Sequence, residues 1–208
     1  MTEFAALNVL VLNASLKHGD EPSSTQEVAD LVVEKMRSHA QIIVESVRLS
    51  DMNLPVGLGY KESEDDEWPA IVEQIKSADI ILFATPIWWG GRSSLMQRII
   101  ERMDAFDEGT IPGISGREGL LNKVAGIVIT GSEDGAQAVM AGMMEVLSFL
   151  NFTLPPQCCT YWVGEVGMDP KTDSERRRNN PAVEHMATNT AKNLVHAAQT
   201  LKTNPFIA

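Results

Sequence analysis

Five short, nearly unbroken apolar runs, each followed by a stretch of helical periodicity, leave this chain very few folds. The runs are LNVLVL (7–12), IIVESVRL (42–49), ADIILFA (78–84), VAGIVI (124–129) and CTYWV (159–163). Unbroken apolar strands are buried on both faces, and strands that alternate with helices pair in parallel. Between them, Val28, Leu31, Val32 and Met36 recur at helical spacing from Ser24 onward. Further helices are read over 69–77, 92–106, 137–150 and 181–201, the last with a proline in its first turn. The expectation is one α/β domain, a doubly wound five-stranded parallel sheet with helices on both faces. In such sheets a ligand sits beyond the carboxyl ends of the strands, at the point where strand order switches.

Charge narrows the ligand. The chain carries 17 Lys and Arg against 28 Asp and Glu, a net charge of −11. That surface repels a phosphate backbone and argues against nucleic acid as a partner. An anionic small ligand must be held by local donors. Cys158 and Cys159 are adjacent, the wrong spacing for a disulfide framework or a metal site, and read as packing residues in a reducing, cytoplasmic setting. His18, His39, His185 and His196 have no metal-ligand spacing and read as surface residues. The opening MTEFAALNVLVLNAS lacks the basic leading segment of a secretory signal, and no apolar run reaches the roughly 20 residues of a membrane helix.

Three loops carry unusual chemistry. The first, 13–25, holds Ser15, Lys17, Ser23, Ser24 and Thr25 and ends where a helix begins. A helix N-terminus offers unsatisfied N–H groups and a positive dipole end, which suit a phosphate. Ser24 and Glu27 fit a capping box. Glu27 repels a dianion unless it turns away or is occupied. The second loop is TPIWWGG (85–91), in which Pro86, Ile87, Trp88, Trp89 and Gly90 form a wall with aromatics and an open backbone. Adjacent tryptophans in an extended segment point in opposite directions, so both cannot be core. The third loop, TGSEDG, contributes Thr130, Gly131 and Gly135. A phosphate anchor and two walls describe a site for a flat ring that bears a phosphate. The loop matches neither the P-loop nor the dinucleotide-binding glycine pattern. The acidic run Glu62, Glu64, Asp65, Asp66, Glu67 and the run Arg176–Arg178 read as solvated loops.

TPIWWGGRSSLMQRIIERMD (85–104) resembles the signature of the flavodoxin-like NAD(P)H-dependent FMN reductases and quinone reductases, and NASLKHGDEPSST (13–25) resembles that family's phosphate loop. The resemblance spans roughly residues 7–200. It implies a flavodoxin-like sheet of order 2-1-3-4-5, bound FMN, and NAD(P)H as electron donor. It implies that Ser15, Lys17, Ser23, Ser24 and Thr25 hold the phosphate. Pro86, Ile87, Trp88, Trp89 and Gly90 are then expected to flank the ribityl chain and ring, and Thr130, Gly131 and Gly135 to border the ring's other edge. Three positions depart from the pattern: Ala14, where a glycine is usual; Glu101-Arg102, often Asp-Arg; and Trp88, often tyrosine. The resemblance also implies a homodimer or homotetramer and a small-molecule acceptor such as a quinone or flavin. The iron–sulfur branch of the family needs a cysteine cluster that this chain lacks. No catalytic side chain is named, because the hydride chemistry belongs to the cofactor. The alternative is a flavodoxin-type electron carrier without its own NAD(P)H chemistry.

Overall fold

In the computed structural model, which describes residues 5–207, the chain alternates strand and helix as expected. The opening reading of Met1–Phe4 lies outside the described residues. The strands are β1 (Leu7–Asn13), β2 (Ile42–Arg48), β3 (Ile80–Trp88), β4 (Gly91–Arg92), β5 (Val124–Gly131) and β6 (Cys159–Val163). Five of them pair in parallel in the order β2-β1-β3-β5-β6, the anticipated 2-1-3-4-5 of long strands. The two-residue β4 is an addition, folded back antiparallel on the end of β3.

Side-chain alternation divides the core. Leu10 and Leu12 of β1, with Ile81 and Phe83 of β3, face α2 (Trp68–Ser77), α3 (Ser94–Arg102) and α5 (Ala136–Phe149). Leu7, Val9 and Val11, with Ile80 and Leu82, face α1 (Ser24–Arg37) and α7 (Pro181–Thr203). Each fully buried aliphatic side chain contributes roughly 1.5–3 kcal/mol. The edge strand β2 alternates between exposed and partly covered positions over most of its length. Cys158 packs on the α1–α7 face and Cys159 on the other, and burial, with Cys158 beside it, pushes the Cys159 thiol up to about 12. All four histidines are exposed.

Several sequence expectations change. The helix read over 92–106 divides into α3 and the single turn α4 (Asp104–Asp107). The α1 cap is Ser23, whose side chain accepts from the Gln26 N–H; no Ser24–Glu27 capping box forms. The Arg176–Arg178 run lies not in a solvated loop but at the end of α6 (Pro170–Arg178), with Arg177 buried.

The acidic segment before α2 is also more than a solvated loop. Asp66 is buried and pairs with buried Arg102 of α3 at 2.6 Å. The N–H groups of Glu62 (2.8 Å) and Trp68 (2.9 Å) donate to the same carboxylate. Arg102 further donates to the carbonyls of Pro55 and Gly59, and its guanidinium lies 5.6 Å from the Trp68 ring centroid. The segment is fastened to α3 because a buried guanidinium must be paired and hydrogen-bonded.

Among the described residues, no helix is long and apolar enough to cross a membrane, and no group of His, Cys, Asp and Glu is arranged to hold a metal ion.

Candidate functional site

The carboxyl ends of β1, β3 and β5 lie side by side, so the loops that follow them meet. Buried side chains fasten these loops together. Asn13, at the end of β1, accepts from the Ser15 N–H through Oδ1 (2.9 Å) and donates through Nδ2 to Gln26 of α1 (2.8 Å). Ser93, the α3 cap, donates from Oγ to the Ala14 carbonyl (2.8 Å), accepts from the Met96 N–H, and donates its own N–H to Thr85 Oγ1 (3.0 Å). Thr25 and Thr130 share a hydrogen bond of 2.8 Å between their hydroxyls, joining α1 to the end of β5.

In the first loop, the hydroxyls of Ser23 and Thr25 are therefore engaged within the protein. Lys17 is exposed and donates to the Pro22 carbonyl (2.7 Å), and Ser15 Oγ accepts from the Lys17 N–H. With Gln26 N–H capped by Ser23 Oγ and Glu27 N–H bonded to the Ser23 carbonyl, the α1 N-terminus presents the N–H groups of Ser24 and Thr25. That end of α1 can hold an anion through backbone donors and dipole, with Ser15, Ser24 and Lys17 beside it.

The second loop is a tight hairpin rather than an open wall. β3 runs on through Pro86 to Trp88, so the chain does not leave the sheet at Thr85. The Ala84 carbonyl accepts from Ala14, so Pro86, two residues on, points the same way but past the end of β1. The proline therefore removes no ladder bond. Trp88 pairs with Gly91 and Ile87 with Arg92, leaving Trp89 and Gly90 as the turn. Both have positive φ, 49° and 75°, as a two-residue hairpin turn of type I′ requires. Trp88 is 50% exposed and Trp89 89% exposed, while Ile87 is buried. A tryptophan held at positive φ with its ring in solvent is strained backbone presenting a large apolar surface.

The third loop packs on this hairpin. A Cβ placed on Gly135, at φ 132°, would stand 2.8 Å from the Gly90 Cα. Gly131, closing β5, lies against the Ile87 side chain, and Thr130 is buried. All the residues singled out from sequence thus fall on one edge of the sheet. Sequence reading missed Asn13, Thr85 and Ser93. The signal available for Ser93 was a serine three residues before the α3 helical pattern begins to bury Met96; none marked Asn13 or Thr85.

Glu27 in the first turn of α1 is occupied. Arg177 of α6 holds it at 2.5 Å, Ser174 donates to it, and Arg178 approaches at 3.3 Å. Burial alone would raise this carboxyl, but the Arg177 hydrogen bond and charge, with Ser174 and Arg178, hold it below the usual range. The residues at this edge fit a flat, phosphorylated ligand. They offer backbone donors at a helix N-terminus, two exposed indoles, and a glycine contact that keeps the walls low.

Comparison with known proteins agrees. The family described as NADPH-dependent FMN reductase matches residues 7–164. The chain belongs to that family. It is accordingly an oxidoreductase of a family whose cofactors are FMN and NADPH. The chain is 31% identical over 214 residues to the 8-demethyl-8-aminoriboflavin-5'-phosphate synthase of Streptomyces davaonensis, covering 97% of this chain and 80% of that protein. It is similar, at 31% identity over 205 residues and 96% of its length, to a Mycobacterium bovis protein described as the divalent metal cation transporter MntH. It spans only 30% of that protein. Among solved structures, RosB with bound 8-demethyl-8-formylriboflavin-5'-phosphate superposes with a TM-score of 0.78 at 29% identity, over 97% of this chain and 82% of that one.

Proposed function

We propose that the chain forms a single FMN-binding domain that takes hydride from NAD(P)H and reduces a small acceptor such as a quinone or a flavin. The observation that carries this reading is the joined carboxyl edge. An α1 N-terminus with free N–H groups stands across from a hairpin that holds two tryptophans in solvent. The phosphate is assigned to Ser15, Lys17, Ser24 and the Ser24 and Thr25 N–H groups, with Ser23 and Thr25 side chains fixing that geometry. Pro86, Ile87, Trp88, Trp89 and Gly90 line one side of the ring, and Thr130, Gly131 and Gly135 the other. FMN, when bound, relays hydride from the nicotinamide to the acceptor. The chain orients the ring, keeps bulk water from it with the indoles, and stabilises negative charge with backbone N–H groups of the second and third loops. No side chain at this edge is assigned a proton-transfer role. A cytoplasmic homo-oligomer is part of the same reading, the exposed tryptophans and Met144 being surfaces a second subunit can cover.

A second reading has support of its own. The Streptomyces relative, similar over 97% of this chain, is described as making an aminated flavin phosphate. On that reading the flavin phosphate is a substrate, changed at the site rather than recycled.

One experiment tests both. The purified protein is mixed with FMN, desalted and scanned in the visible, then treated with NADPH without oxygen and re-oxidised with a quinone; a second portion is incubated with FMN in air with amino acids as amine donors, and the flavin from each is analysed by mass. A retained flavin band that NADPH bleaches, and unaltered FMN on recovery, supports the reductase. Recovery of a flavin of different mass supports the second reading. Protein that fails to hold FMN at all overturns the site itself.

A further inference from the structure

The family match ends at residue 164, and α6 lies wholly beyond it. This segment nevertheless grips the start of α1. Arg177 is only 3% exposed, yet it comes from a short polar helix. It donates to Asp173 on its own helix and to Glu27 at 2.5 Å. Asp173 in turn accepts from Trp162 Nε1 at the end of β6 (2.9 Å). Ser174 and Arg178 complete the ring around the Glu27 carboxylate. The Arg177 Nε has no partner among the described residues, and its two NH groups bridge the carboxylates of Glu27 and Asp173.

Glu27 sits one helical turn from the N–H groups assigned to the phosphate, on a helix whose positive end that phosphate uses. Unpaired, a carboxylate there offsets the positive potential of the dipole end and repels the dianion. Resting on the reading of this edge as a flavin phosphate site, we infer that Arg177 is a positioning residue for the cofactor phosphate. By neutralising Glu27 from outside the family's common domain, it lets the α1 N-terminus accept an anion. Charges roughly 10 Å apart near a protein surface interact by about a factor of ten in affinity, and this is the scale expected here.

The test is the affinity for FMN against that for riboflavin, which shares the ring but has no phosphate. Both are measured by quenching of flavin fluorescence at low salt, in the wild type, Arg177→Met, Glu27→Gln and the double variant, with thermal melts on each. Arg177→Met should weaken FMN roughly tenfold and leave riboflavin nearly unchanged. Adding Glu27→Gln to it should restore most of the FMN affinity. A purely structural Arg177 gives equal losses for the two ligands and no rescue, which overturns the inference. Should Arg177→Met not fold, Glu27→Gln alone decides. It should tighten FMN a few-fold while riboflavin stays constant, because Arg177 then faces the phosphate with less opposition; unchanged or weaker FMN binding overturns the inference. Wild-type protein that prefers riboflavin, or binds neither, refutes the site rather than the role of Arg177.

Discussion

Asp66→Asn offers the sharpest test of how the segment before α2 is held. Neither side chain of the Asp66–Arg102 pair is exposed to solvent, and the contact is 2.6 Å. The carboxylate also takes the Glu62 and Trp68 N–H groups, so three donors converge on two oxygens. Asparagine keeps one acceptor oxygen and turns an NH2 toward at least one of those donors. It also leaves the guanidinium as a buried cation supported only by carbonyls and the Trp68 ring. Removing one partner of a buried pair costs about 3–5 kcal/mol. For a chain of this size each kcal/mol moves Tm by roughly 2–4 °C, so a fall of about 10 °C is expected at neutral pH. The gap must also depend on pH. Burial alone would raise Asp66, but the Arg102 hydrogen bond, the two backbone N–H groups and the Arg102 charge hold it below its ordinary 3.8. A depressed folded value means the contribution is complete above the unfolded value and is lost as pH falls through the folded one. Calorimetry from pH 7 downward should therefore show wild type and variant converging below about pH 4. A neutral-pH difference under about 2 °C, or a gap that stays constant in acid, refutes the claim that the ion pair holds this segment.

Two further perturbations bear on the site. Gly135→Ala places a methyl 2.8 Å from the Gly90 Cα at a φ of 132°, which forces the second and third loops apart. It should cost roughly 1–3 kcal/mol in a melt and weaken FMN binding by an order of magnitude; FMN affinity equal to wild type by titration counts against the site. Trp89→Gly releases a bulky residue from a φ of 49°, so the free protein should melt at the same temperature or higher. Its FMN affinity should fall roughly 2–10-fold, the scale of one aromatic stacking contact; a variant that melts lower, or binds FMN unchanged, removes Trp89 from the ring's wall.

The sheet was legible because its signal is local. Leu7–Leu12 and Val124–Ile129 are unbroken apolar runs, and α1, α5 and α7 announce themselves by spacing. Strand order is not local, and came from the resemblance of 85–104 to a known signature. β3 was read as ending at Ala84, where its apolar run stops; the strand continues through Pro86 because the neighbouring β1 ends first, and only the paired structure reveals that. The WWGG stretch was read as an extended segment whose two tryptophans could not both be core; both are exposed, and its hairpin depends on two consecutive positive φ values that a tryptophan rarely adopts. The charged runs were misread for one shared reason. Asp66 and Arg177 look like members of solvated clusters, yet each is the buried member of its run, paired with a residue far along the chain, 36 and 150 residues away. Composition cannot single out such a residue, because its neighbours in sequence are indeed solvated.

That pattern bears on how an acidic protein can hold an anion. With a net charge of −11, the mean field opposes a phosphate. At physiological salt, solvent-exposed charges beyond about 8 Å are largely screened while partly buried ones are screened much less, so distant surface carboxylates matter little. What remains is the immediate surroundings of the α1 N-terminus. There the exposed Lys17 and a dipole end equivalent to roughly half a charge favour the anion. In the first turn of α1 the carboxylate of Glu27 opposes it, and that partly covered carboxylate is paired with the buried Arg177. Its neighbours Glu21 and Asp20 on the loop stay exposed, where solvent screens them. The acidic surface and an anion site are compatible because the chain pairs the acid in the first turn of α1 with an arginine and leaves the other acids of this edge, Glu133 and Asp134 among them, exposed to solvent.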